Sequence, residues 1–186
     1  MKSTIQFLAL IIVLLASCTT TEPDQTAMIQ KEIDALTTIN AKKTYLENLF
    51  KDDQEYRIKE GAVITEFTQD SDEYREHVRK SIERDSINEI KVEAYLLKYG
   101  HPDRKTFGEI ATITPHTVIH HSSSYESRVR NFHYFYTAHQ TGDIDLSMYL
   151  NRMYQMKFGK RFHIEGVYKP EDEINALIKA LELKTI

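Results

Sequence analysis

Apolar residues recur at three- and four-residue steps along most of the chain, with charged residues between them, the spacing of helices that bury one face. Met28, Ile29, Ile33, Leu36, Ile39, Leu46, Leu49 and Phe50 predict a first helix starting near Thr26 and running to about Lys59, where Gly61 interrupts. Asp70-Ser71-Asp72-Glu73 supplies a cap and an acidic first turn for a second helix carrying Tyr74, Val78, Ile82, Ile90, Ala94 and Leu97. Gly100-His101-Pro102 stops it. A third helix is predicted over residues 115–121, with Thr114 as its cap and Pro115 in its first turn. Three serines then precede an aromatic helix over residues 126–139. Leu146, Tyr149, Leu150, Met153 and Met156 mark a fifth helix closed by Gly159, and Pro170-Glu171-Asp172-Glu173 opens a last one. The expected fold class is all-α, a single compact domain of five to seven helices. One minor strand pair, residues 62–67 with 162–168, competes with that reading.

The N-terminus follows a different logic. Lys2 precedes ten apolar residues, Phe7 to Ala16, and then Ser17 and Cys18, the order of a secretory signal. Ten residues are too few to cross a hydrocarbon core, which takes about 20 in a helix. Leu15-Ala16-Ser17-Cys18 resembles a bacterial lipobox, in which the cysteine thiol is acylated and the chain is cut just before it. Thioether formation needs a soft nucleophile, and the cut needs small neighbours. The expected organisation is a lipoprotein signal peptide over 1–17, lipidated Cys18 with a polar tether over 18–25, and a helical domain over 26–186. That places the protein in the bacterial cell envelope, palmitate-anchored to a membrane, on the periplasmic face or the cell surface.

Loss of residues 1–17 removes one lysine and moves the formal charge from -4 to about -5. A mildly acidic chain without a basic tract is a poor nucleic-acid binder. With one cysteine and that one in the anchor, the domain has no intrachain disulfide, cysteine metal site or cysteine nucleophile. Nucleophile elbow, phosphate loop and dinucleotide fingerprint are absent as well, and no cofactor is expected.

The candidate chemistry lies in polar residues on helices. Asp53 and Arg57 are four apart, so a helix brings carboxylate and guanidinium together. Asp85-x-x-Asn88 and Asn151-Arg152 are bland alone but able to join a shared cluster. His116 and His120 share a face at a spacing that suits zinc, although no glutamate follows the first histidine, and polar capping is the competing role. His121 suits a general base or a buried polar cluster. The aromatic run Asn131-Phe132-His133-Tyr134-Phe135-Tyr136 spans more than one helical face, as expected for packing against two neighbours.

Taken in order, Asp53-Gln54-x-x-Arg57, Asp85-x-x-Asn88, Tyr99-Gly100-His101-Pro102, Phe107-Gly108, Val118-Ile119-His120-His121-Ser122, and Asn151-Arg152 followed by Gly159-Lys160 resemble the bacterial domain of unknown function 6624 family. The resemblance covers roughly residues 50–162. It implies a mostly helical domain, with His121 as the family's histidine and Asp53, Gln54, Arg57, Asn88 and Arg152 as the matching polar positions. Two departures stand out: Asn151 replaces an aspartate, and Arg161-Phe162-His163-Ile164 replaces a glutamine- and glycine-containing tail. The resemblance implies no particular activity.

Three readings of function follow. One is a binding or accessory module with an envelope protein or a small ligand as partner. Another is a small hydrolase in which Asp53 orients His121, and Arg57 or Arg152 holds an anionic group. The last is a metal-dependent variant using His116 and His120. Convergence of His121, Asp53, Arg57, Asn88 and Arg152 in a cleft favours the second reading.

Overall fold

The computed structural model describes residues 25–163 and 169–185. They form eight helices and no strand among the described residues: α1 (Gln25–Asp34), α2 (Ile39–Phe67), α3 (Asp72–Tyr99), α4 (Arg104–Phe107), α5 (Glu109–His121), α6 (Tyr125–Gln140), α7 (Ser147–Phe158) and α8 (Pro170–Leu181). The all-α expectation holds, with one helix more than the range foreseen. Two differences in the chain's first two-thirds account for it. The predicted first helix breaks at residues 35–38, where the Thr38 side chain accepts a hydrogen bond from the Ala41 N–H and starts α2 afresh. The stretch after Pro102 winds into the single turn α4, capped by Asp103.

Gly61 does not interrupt α2, and residues 62–67 are helical rather than extended, so the strand pair loses one of its members. Its other member falls mostly on residues 164–168, outside the described residues. Helix α5 begins at Glu109, six residues before Pro115, which therefore lies inside it. Thr114 is no N-cap: its hydroxyl donates to the carbonyls of Ile110 and Leu46. The remaining boundaries follow their sequence signals, Ser71 and Gly100 at the ends of α3, Gly159 in the left-handed conformation after α7, and Pro170 opening α8.

Helices α2, α3 and α5 pack together, α1 lies along α3, α6 bridges α5 and α7, and α7 pairs with α8. Ile33, Leu46, Val92, Leu96, Ile119, Phe135, Leu150, Met153 and Leu177 are the centre of the core. Each contributes about 1.5–3 kcal/mol by leaving water. Along α3 the buried stripe is Asn88, Val92, Tyr95 and Leu96; Ile82, Ile90 and Leu97, apolar positions in the sequence pattern, are exposed.

Helices α2 and α3, 29 and 28 residues long against at most 16 for the other helices among the described residues, form an antiparallel hairpin. No residue of α2 after Asp53 is buried, and none of α3 before Asn88. The outer half of the hairpin is thus a two-helix arm reaching beyond the core, with Ile58 and Ile82 open to solvent. Among the described residues no helix is long and apolar enough to cross a membrane.

Candidate functional site

The site lies where the apolar stripes of three helices turn polar at one level. On α2 the buried positions Leu46 and Leu49 are followed at helical spacing by Asp53, then Arg57. On α3 the stripe runs back from Leu96 and Val92 to Asn88 and Asp85. On α5, Val118 and Ile119 are buried, and His120 and His121 end the helix. The i, i+4 step that puts Asp53 and Arg57 on one face thus aims both at the last turn of α5.

His121 Nδ1 lies 2.9 Å from each oxygen of the Asp53 carboxylate, which is almost wholly buried. Gln54 donates to Asp53 Oδ2 at 2.6 Å. The Arg57 Nη2 donates to Asp85 Oδ1 at 2.8 Å and, at 3.4 Å, to Asp53 Oδ1, while Arg57 Nε approaches His121 Nδ1 to 2.9 Å. One ring nitrogen cannot both donate to Asp53 and accept from Arg57. A bond from N–H to a buried carboxylate is charge-assisted and outweighs a guanidinium bond to a neutral ring nitrogen. The network therefore assigns the proton to Nδ1. Nε2 is left without a hydrogen-bond partner among the described residues and free to accept a proton. Burial pushes the Asp53 carboxyl up, but the His121 bond and the charges of His121 and Arg57 outweigh it and hold Asp53 below the usual carboxylate range. Asp85 goes the other way, because its burial outweighs the pull of Arg57. The pair thus divides into a firmly charged acid on the histidine and a weaker one on the arginine.

His121 lines a cavity of about 350 Å³, within the range of small-molecule sites. Phe50, Ile113 and Met148 supply apolar wall, while His116, His120 and Thr117 add polar groups from α5. Asp145 faces it from the loop before α7, its carboxylate accepting from the Ser147 N–H at 2.9 Å and hydroxyl at 2.8 Å. The rings of His116 and His120 stack 6.2 Å apart, and His116 also meets Phe135 and Tyr149 at 5.5 and 5.3 Å. His116 Nε2 and His120 Nδ1 are buried without partners among the described residues. Burial first, reinforced by the neighbouring His120 and His101 rings for His116 and by Arg128 for His120, pushes His116 down to about 3 and His120 to about 4, so both are neutral at pH 7. Among the described residues no group of three or more histidines, cysteines or acids is placed to hold a metal ion.

Of the residues singled out from the sequence, His121, Asp53 and Arg57 come together. Asn88 is buried one turn from Asp85, yet its amide makes no hydrogen bond among the described residues. Arg152 does not join the cluster: it is exposed and donates to Gln155. Its neighbour Asn151 is tied to Ser147 and Glu173 instead. Cys18 lies outside the described residues. Of the Asp85-x-x-Asn88 pair offered for a shared cluster, Asp85 joins it, as the second acceptor of Arg57.

Arg128 had no sequence signal at all, standing between Glu126 and Arg130 in a charged helix. It is nevertheless 1% exposed. Its Nη2 donates to the carbonyls of His120 and Ser122 and so closes the C-terminal end of α5. Nε and Nη1 have no partner among the described residues, and burial lowers the guanidinium to about 10.

No protein-family model, curated protein or solved structure matches the chain.

Proposed function

We propose that the protein is a lipid-anchored lipoprotein of the bacterial envelope whose helical domain carries a small hydrolytic site, with His121 as general base. The observation that carries this reading is the 2.9 Å pairing of His121 Nδ1 with buried Asp53 on the wall of a cavity. Asp53 fixes the ring and its tautomer and stabilises the imidazolium that forms. Nε2 takes a proton from water, the water oxygen bonds to the ester's carbonyl carbon, and the bond from that carbon to the leaving oxygen breaks as the imidazolium returns the proton to that oxygen, releasing acid and alcohol. Arg57 keeps Asp53 charged and spans α2 and α3 through Asp85. The resemblance to the domain of unknown function 6624 family points to the same histidine, aspartate and arginine. Cys18 and the lipobox support the anchor.

The test is hydrolysis of a panel of chromogenic esters by wild type, Asp53→Asn and His121→Asn. Asp53→Asn is expected to lower kcat by about 10²–10⁴-fold and His121→Asn by at least as much. Equal turnover by all three proteins, or none by wild type across the panel, defeats the reading.

The α2–α3 arm favours a second reading, a binding or accessory module. Ile58 is 76% exposed and Ile82 58%, which suits an envelope protein seated on the arm.

A further inference from the structure

Charge is unevenly placed around the cavity that His121 lines. No lysine or arginine is among its lining residues, and Asp145 is the one carboxylate there. Both bonds from Ser147, from its N–H and its hydroxyl, fall on Asp145 Oδ1. Oδ2 has no partner among the described residues, and the residue is exposed. The Ser147 N–H is the leading cause that holds Asp145 below the usual carboxylate range, so it is charged at pH 7. The basic groups acting on it are His139 and His116, not a lysine or an arginine. Asp145 thus stands near the level of His116, about 7 Å along α5 from His121. At the His121 end the field has the opposite sign: the charges of Arg128, Arg152 and Arg57 reach the His120 ring, although none of the three lines the cavity.

We infer that the cavity takes carboxylic esters that carry an ammonium group, with the cation at Asp145, the ester carbonyl at His121 and the apolar part of the substrate on Phe50, Ile113 and Met148. A carboxylate with a free oxygen beside apolar walls attracts a cation more strongly than one in open water, because those walls lower the local dielectric. The carbonyl oxygen turns negative as water adds to its carbon, which suits the end that the guanidinium charges reach. An ester bearing a second anionic group would set that group against Asp145 and is disfavoured by the same field. This rests on the hydrolytic reading and names the substrate class of that same site: water still adds to the carbonyl carbon, and acid and alcohol still leave. The ammonium group has two available sources, the alcohol part of the ester or its acyl part.

The experiment compares two charged esters, each with the uncharged isostere in which carbon replaces nitrogen, by the acid they release at constant pH. Butyrylcholine carries the cation on its alcohol, and the ethyl ester of trimethylammoniobutyrate carries it on its acyl chain. The readout is the ratio of kcat/KM for charged over uncharged ester, so a change in overall rate does not enter it. Wild type is expected to prefer the charged member of at least one pair about tenfold, through one charge-assisted contact. The pair that shows the preference assigns the source of the cation. Asp145→Asn keeps an oxygen to accept from Ser147 and should bring the ratio close to one, with Asp145→Glu restoring part of it. Ratios near one for both pairs in wild type overturn the inference and leave the hydrolytic reading standing, and so does a preference that Asp145→Asn leaves intact. Absence of turnover with all four esters counts against the hydrolytic reading, and calorimetric titration with butyrylcholine then decides the cation site. Saturable binding that Asp145→Asn abolishes supports that site, and absence of binding overturns it.

Discussion

Lowering the pH from 7 to 5 should cost this protein a large part of its stability, and the size of the loss follows from two half-buried imidazoles whose inner nitrogens are shut off from water. His116 Nε2 and His101 Nε2 are both buried without partners among the described residues, and each ring meets the edge or face of Phe135 at 5.5 and 5.9 Å. Burial, the leading cause in both, pushes His116 down from 6.5 to about 3 and His101 from 6.5 to about 4. Between those values and 6.5 the unfolded chain binds protons that the fold refuses, so stability falls as pH falls through that window. At pH 5 each ring forfeits about 2 kcal/mol, together about 4 kcal/mol, against about 5–15 kcal/mol for a typical domain. His120, which opens on the cavity, adds a smaller loss of the same sign. Asp53, held low, contributes a loss only below its ordinary 3.8, whereas Asp85, held high, offsets part of it from just above that value. The chain has no tryptophan, so urea unfolding at pH 7, 6 and 5 is best followed by the helical circular dichroism signal. His116→Phe should remove about half of the loss, because a benzene ring has no proton to gain. A loss under about 1 kcal/mol, or an unchanged pH slope in His116→Phe, would refute the reasoning.

Three further outcomes are expected. Gly61 sits in mid-helix with nothing within 4 Å of an added Cβ, so Gly61→Ala should stabilise α2 by up to about 1 kcal/mol; hydrogen exchange in the arm will show the slowing, and faster exchange there would contradict it. Tyr99 donates to the carbonyls of both Ile33 and Leu36 at 2.9 Å, so Tyr99→Phe should cost about 1–2 kcal/mol by thermal unfolding; an unchanged midpoint would show that α1 is not pinned there. Palmitate labelling in the native host should vanish in Cys18→Ser, and a label that persists removes the lipobox reading.

The helix ends that the sequence announced are those with local chemistry at the boundary itself: Ser71 accepting from the Tyr74 N–H, Gly159 taking a left-handed turn, Pro170 opening α8. The misread ones depend on contacts made elsewhere. Apolar spacing runs unbroken through Leu36 and Ile39 and hides the Thr38 cap, and the Tyr99 hydroxyl from α3 takes up the carbonyls of Ile33 and Leu36 freed at the break between α1 and α2. Gly61 carries a penalty of about 1 kcal/mol, too little to end a helix that α3 supports from the other side. Pro115 looks like a start signal but lies in mid-α5, whose Thr114 is anchored to Leu46 of α2. The site divides in the same way. Asp53 and Arg57 were legible because four residues bring them together on any helix. The partnership of Asp53 with His121 spans 68 residues and needs the packing of α2 on α5. Burial of Arg128 leaves no trace in composition or spacing.

The two-helix arm also has a mechanical side. From Asp53 to the end of α2 it measures about 20 Å at 1.5 Å per residue, so tilting it by about 10° swings the tip through roughly 4 Å. The Arg57–Asp85 bridge stands at the pivot of that lever, and the same guanidinium faces the His121–Asp53 pair. A partner that grips the far end would work on the histidine with leverage, turning a wide swing outside into a fine adjustment of one imidazole.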